Sequence, residues 1–216
     1  MNAAFQRLAL TWLVSAGAAC SSAPIRYHTL IPPPDKPLRA SEPALAIDVR
    51  VAHIPPPLNR SELVIRTGPT ETSLLENERW ASSMKDEIKE AVRLELRRRL
   101  GAMAALPSSL TKLAIDIDVQ RLEAELGRYA RLEASWSASS SGADQRSGDT
   151  RVAACTFQAD EAIQSGYAGM VEGYQREIAA FADAIAAVLT SSASGFDAPC
   201  RSSIGGLAAG SGPKNP

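Results

Sequence analysis

Histidine is almost missing from this sequence: of 216 residues only His28 and His53 carry an imidazole, and neither has a metal-ligating partner four positions away. That excludes the H-E-x-x-H arrangement, in which two imidazoles one helical turn apart hold zinc. Cysteine is nearly as sparse, with Cys20, Cys155 and Cys200 and no C-x-x-C pair, so a structural zinc site has no ligands. No serine sits in a G-x-S-x-G turn, which removes the hydrolase elbow. Neither a Walker loop nor G-x-G-x-x-G is present, so no phosphate cradle for ATP or a dinucleotide exists. Charge of one sign is missing too: 23 Lys and Arg stand against 24 Asp and Glu, leaving no basic surface for nucleic acid. Beyond the N-terminus no apolar run approaches the roughly 18 residues of a membrane span. These absences point to a non-enzymatic protein without metal or cofactor.

What is there begins with a secretory signal. Arg7 precedes an apolar run, Leu8 to Val14, that is far too short to cross a bilayer. Small residues follow, Ser15-Ala16-Gly17-Ala18-Ala19, and then Cys20. The stretch resembles a bacterial lipobox, in which the cysteine is diacylated and becomes the mature N-terminus. Gly17 departs from the usual Leu, and Ala16-Gly17-Ala18 would serve an ordinary signal peptidase as an A-x-A site. The expectation is a signal peptide over 1–19 and a lipid on Cys20. Ser21 and Ser22 follow the cysteine where an Asp would favour the inner membrane, so the outer membrane is expected.

The mature chain is long enough for one domain with a real core. Five prolines between Ile31 and Pro43 predict an extended connection. Ile25 to Leu30 reads as a short strand. Ala44 to Ala52 alternates, with Leu45, Ile47, Val49 and Val51 on one side and Asp48 and Arg50 on the other, the pattern of a half-buried strand. Glu62 to Thr67 is a further strand, and Thr72 to Leu75 a brief one. Met84, Ile88, Val92, Leu96 and Leu100 recur every four residues, predicting a helix over 81–100. Ser83 and Asp86 form a capping box at its start, and Gly101 ends it.

Leu113 to Val119 alternates again, and the apolar parity shifts at Gln120, which predicts a bulge. The chain should reverse at Gly127 and return through Leu132, Ala134 and Trp136 as a long hairpin. Ser137 to Thr150 reads as a polar loop, and Arg151 to Gln158 as a third strand. Tyr167, Val171, Tyr174, Ile178, Phe181, Ile185 and Val188 predict a second helix over 166–189. That spacing suits a coiled coil as well as a core helix on a sheet, and the second is favoured. Alanines on its other faces would let a neighbour approach closely, so a homo-oligomer is open. From Ser191 the tail is Ser, Gly, Ala and Pro, the composition of a disordered segment.

Three features have two readings each. Cys155 and Cys200 would pair in an oxidising compartment or stand as independent thiols. Asp116 and Asp118 share a strand face and could act together, but are more plainly its wet side. Arg97, Arg98 and Arg99 could bind a partner, or simply complement the helix dipole.

In order along the chain, YHTL at 27–30, ALAIDVRVAHIPPPLNRSELVIRTG, ENERWASSMKDEI at 76–88, LAIDIDVQRLEAE and GYAGMVEGYQREIAAFADAIAAVL resemble one family. It comprises the auxiliary lipoproteins of ABC-type, MCE-associated transport systems, of the PqiC/YmbA type. The resemblance implies a single α/β (α+β) domain over 20–190, with a mixed, mainly antiparallel sheet and two long helices on one face. It implies an outer-membrane lipoprotein that docks an MCE-domain protein spanning the periplasm, and through it a permease and an ATPase that move lipid. Leu58, Asn59, Arg60, Arg66, Arg79 and Trp80 fall on family-typical positions. Arg60, Arg66, Arg79 and Trp80 are thereby candidates for partner binding, or more plainly for fixing loops and core. His28 stands where the family often has an aromatic. The competing function is an assembly or stabilising lipoprotein of an envelope complex that handles no lipid. From Cys20 to Tyr27 the chain spans about 25 Å at most, so the domain is expected to sit close to its membrane.

Overall fold

Alternating apolar residues make strands, and four-residue apolar recurrence makes helices; the tertiary structure sorts them into two sheets. The computed structural model describes residues 23–33, 46–100, 110–142 and 150–192. Strands β1 (Arg26–His28), β2 (Ala46–His53), β3 (Glu62–Arg66) and β4 (Thr72–Trp80) precede helix α1 (Met84–Leu100). Then come β5 (Leu110–Glu125), β6 (Tyr129–Gly142), β7 (Thr150–Ala162) and helix α2 (Gly166–Ser192). The signal peptide, Cys20, most of the proline-rich connection, Gly101, Cys200 and the tail beyond 192 lie outside the described residues.

One mixed sheet was expected; two are present, ordered β1-β4-β3 and β2-β5-β6-β7. β1 runs parallel to β4 and β2 parallel to β5, while the β3–β4, β5–β6 and β6–β7 pairs are antiparallel. The long hairpin β5–β6 carries the expected bulge, a register shift between Val119 and Arg121. It turns at Gly127, whose φ of 73° is a conformation that a side chain would strain. β6 continues well into the segment read as a polar loop, because its Ser-rich stretch pairs with β5 and β7 on both edges. Paired hydrogen bonds outweigh weak side-chain propensity in a central strand.

The apolar faces of Ile47, Val49 and Val51, of Leu113, Ile115 and Ile117, and of Leu132, Ala134 and Trp136 all point to one side. Both helices cover that side: α1 packs on β2, α2 on β6 and β7, and the helices pack on each other. α2 also meets the smaller sheet, with the Trp80 and Tyr174 rings 6.3 Å apart. Covered on three sides, α2 buries Met170, Tyr174, Ile178, Phe181, Ile185 and Leu189. It is therefore a core helix on a sheet and not a coiled coil. The opposite face of the four-stranded sheet is lined by polar and small residues, Asp116, Asp118, Ser135, Ser137 and Thr156 among them, and neither of the two described helices covers it.

Candidate docking surface and N-terminal clamp

The N-terminal strand is short, only three residues, yet two buried carboxylates hold it. Glu78 lies on β4 directly opposite Arg26 and is 4% exposed. Arg26 Nε donates to Glu78 Oε1 at 2.7 Å, with a second guanidinium contact to the same oxygen. His28 Nε2 lies 2.6 Å from Glu78 Oε2. Burial pushes the Glu78 carboxyl up, but the hydrogen bonds from His28 and Arg26 outweigh it and hold the group below its ordinary value. Arg26 also lies over the Tyr167 ring, 5.7 Å from its centre, and His28 meets the same ring edge-on. The His28 imidazole thus packs on an aromatic ring and meets a carboxylate at once.

Glu87, in the first turn of α1, makes the second hold. Its Oε2 accepts from Thr29 Oγ1 at 2.8 Å and from the Leu30 N–H at 2.9 Å. Its Oε1 accepts from the Ser82 N–H at 3.0 Å and Ser82 Oγ at 2.8 Å. Four donors satisfy a carboxylate that is 2% exposed, and its place at a helix N-terminus suits its charge. Gln175 on α2 completes the fastening by donating to the Thr29 carbonyl at 3.1 Å. Sequence reasoning missed Glu78 and Gln175. The fully buried Leu30 beside Thr29 is the one local sign that this terminus is built in.

The candidate partner-binding residues do not converge on one site. Trp80 is 4% exposed, in the core against Tyr174. Arg66, at the end of β3, donates to Glu123 Oε2 at 2.9 Å and to the Gly68 and Pro69 carbonyls. Burial pushes Glu123 up, and Arg66 more than offsets it, holding the carboxylate low. Arg121, Arg131 and the Tyr129 hydroxyl crowd the same carboxylate. Arg60 and Arg79 flank Glu62 at the other end of β3, Arg79 at 4.0 Å, with Arg60 exposed in the loop after a short 3-10 turn at Pro56–Leu58. Asn59 in that turn donates its N–H to the Pro56 carbonyl, and Leu58 packs on the core.

The remaining expected residues fall as follows. Asp116 accepts from Arg50 at 2.5 Å on the uncovered sheet face, and Asp118 beside it is exposed. Among the described residues no group of three His, Cys, Asp or Glu is placed to hold a metal, and no helix is long and apolar enough to cross a membrane. The arginine triplet does more than match a dipole: Arg99 reaches α2, donating to the Ala179 carbonyl at 2.9 Å and to Asp183. Arg98 pairs with Glu95 and Arg97 is exposed. Cys155 sits half-buried on β7 opposite Trp136 and is disulfide-bonded; Cys200 lies outside the described residues, so their pairing is a proposal.

One buried group has no role in the clamp. Glu177 on α2 is 0% exposed, and neither carboxyl oxygen has a hydrogen-bond partner. Burial, then the charges of Glu161 and Asp160, push its carboxyl up to about 9, against weaker opposition from the nearby Leu132 N–H and Arg131.

The fold is an α+β domain with a clamped N-terminal strand and two sheets. The chain matches the family described as the ABC-type transport auxiliary lipoprotein component over residues 28–186, and it belongs to that family. Two solved structures resemble it. A crystal structure of an uncharacterised protein shares the fold with a TM-score of 0.57 at 18% identity, covering 76% of this chain and 98% of its own. A crystal structure of a Xanthomonas campestris protein of the DUF330 family gives 0.47 at 15% identity, covering 78% and 95%. No curated protein matches the chain.

Proposed function

We propose that this protein is an outer-membrane lipoprotein, acylated at Cys20, that serves as the docking component of an MCE-type intermembrane lipid transport system. Family membership supplies the transport setting. The observation that carries the anchor reading is the double clamp on residues 26–30, made by Glu78 and Glu87. The chain leaving the first strand reaches Cys20 within six residues, so a load between membrane and domain passes into the core. A loosely attached terminus would not need two buried carboxylates.

The work is structural, not catalytic. Arg60 and Arg79 flank Glu62 at one end of β3, Arg79 opposite Tyr27 of the first strand, and they are the surface offered to the periplasm-spanning MCE-domain partner. Arg66 and Trp80 act by holding β3 and the entry to α1. The permease and ATPase of the system contact this protein only through that partner, and self-association through the alanine-bearing flank of α2 is compatible with the same arrangement.

Cys20→Ser should leave a soluble periplasmic protein, and mass spectrometry of the native N-terminus should show the acylated cysteine. In-cell crosslinking should recover an MCE-domain protein, and Arg60→Glu with Arg79→Glu should abolish that crosslink while membrane attachment persists. Recovery of envelope-assembly proteins without any MCE partner would sink the transport reading in favour of a stabilising lipoprotein.

A further inference from the structure

β7 is the last strand of the four-stranded sheet, and among the described elements only β6 pairs with it. Its outer backbone edge is long, 13 residues from Thr150 to Ala162, and poorly guarded. Beyond the register shift near Val152, the run Ala153 to Ala159 holds no charge and no proline. β2, at the sheet's other edge, carries Asp48 and Arg50. An edge strand without charge or proline invites another strand to pair with it. Two neighbouring residues of β7 are already engaged. Cys155 is disulfide-bonded. Ala154 makes an interaction beyond its pairing with Ser137, and an alanine has only its backbone to make one with.

The chain has two other cysteines, Cys20 and Cys200, and reach separates them. Three residues join β7 to α2, so α2 doubles back along the strand, and the Phe157 and Phe181 rings meet at 5.0 Å. Tyr167 precedes Phe181 by fourteen residues, about 21 Å of helix. Cys155 lies past Phe157 on the side away from Tyr167. Cys20 stands three residues before Ala23, which shares a groove with Tyr167, and three extended residues reach only about 11 Å. Cys20 therefore falls short of Cys155. α2 ends at Ser192, about 17 Å past Phe181, and eight residues lead from there to Cys200. Those eight reach about 28 Å at full extension, ample to turn back to Cys155, about 7 Å past Phe157 along β7.

We propose that the segment beginning at Cys200 lies along the outer edge of β7 as a short fifth strand, tied by a Cys155–Cys200 bond and hydrogen-bonded around Ala154. It rests on that pairing of cysteines and is independent of the docking role. Cys200 to Ile204 is five residues without proline or glycine, bounded by Pro199 and by Gly205-Gly206. That is the length of a short strand, and Pro199 stands just before its start, where no ladder N–H is needed. Arg201 brings to the edge a charge that the middle of β7 lacks. The composition of the tail predicts disorder as a whole, and the covalent tie is what overcomes it locally, by keeping these residues at high effective concentration beside the strand. The sheet is thereby closed at β7 against strand addition by a second copy.

The test is hydrogen–deuterium exchange on the full mature chain, purified after export with its disulfide intact. Ser202→Pro combined with Ser203→Pro removes two successive N–H groups, one of which must face β7, and leaves both cysteines in place. Cys200→Ser is the second variant and removes the tie itself. Amides of β7 between Ala153 and Thr156 should exchange about tenfold faster in either variant than in the parent chain, with the turn end of the β5–β6 hairpin unchanged. Peptide mapping without reductant accompanies each measurement. A bonded parent chain whose β7 exchanges no slower than both variants overturns the cover and leaves the tie. A parent chain in which Cys155 is not joined to Cys200 overturns the tie and the cover together.

Discussion

Glu177 stands in the core with no hydrogen bond to either carboxyl oxygen, a costly position for a charge. Its folded value of about 9 lies above the unfolded value of 4.5. Between those limits this group makes the folded protein bind more protons than the unfolded one, so its own effect on stability is most favourable below about pH 4.5 and becomes less so as pH rises toward 9. The slope is on the order of 1.4 kcal/mol per pH unit within that window. Glu177→Gln should therefore raise Tm by several degrees at pH 8, change it little at pH 4.5, and flatten the profile between. Thermal unfolding across pH checks this, and parallel profiles for the two proteins would refute it. Glu78 has the opposite sign. Its folded value is lowered, so its contribution is present above the unfolded value of 4.5 and is lost as pH falls through the folded one. Glu78→Gln should cost about 1–3 kcal/mol near neutral pH, a difference that denaturant melts should show shrinking in acid. Neither residue announces itself in the sequence. Glu78 lies between the brief strand expected over Thr72 to Leu75 and the helix expected from 81, and Glu177 occupies a helix position where exposed glutamates are common.

At the scale of elements, β4 shows how pairing overrides local signals. Thr72 to Leu75 carries the strand pattern, but the strand runs on to Trp80. β1 pairs in parallel with residues 78–80 and satisfies backbone groups that the sequence places before a helix. α1 accordingly begins at Met84, with the Asp86 N–H donating to Ser83 Oγ as the capping box requires. Arg99 joins the helices. Arg99→Ala should lower stability by about 1–3 kcal/mol through its lost hydrogen bonds to Ala179 and Asp183, whereas Arg97→Ala, on an exposed position, should stay within about 0.5 kcal/mol. Equal effects in denaturant unfolding would show that the inter-helix contact contributes nothing. The start of α2 depends on a close approach: a Cβ on Gly169 would lie 2.5 Å from the Gln164 carbonyl oxygen. Since backbone must move to relieve it, Gly169→Ala should destabilise by about 1–3 kcal/mol, measurable by the same melts.

Across the whole molecule, the three-sided burial of α2 makes its position the centre of stability, and a covalent tie near its end would strengthen it. Pairing of Cys155 with Cys200 would place such a tie between β7 and the tail. Peptide mapping without reductant should find the Cys155–Cys200 peptide, and Cys200→Ser should lower stability by about 2–4 kcal/mol. Recovery of Cys200 as a free thiol would refute the pairing. Much of the framework was legible: the bulge at Gln120, the turn at Gly127, both helices and the apolar faces follow from periodicity, which depends only on neighbours along the chain. The lipobox-like stretch before Cys20 and the lack of nucleophile, metal and phosphate motifs are likewise properties of the sequence by itself. Only the tertiary structure decided that the strands divide into two sheets, that Arg66 and Arg79 lie at opposite ends of β3, and that Glu78 and Glu87 hold the first strand. The physical reason is separation: Arg26 and Glu78 are 52 residues apart, and Thr29 and Glu87 58. Parallel pairing of distant segments leaves no local periodic trace, so the clamp on the first strand becomes visible only when the chain has closed on itself.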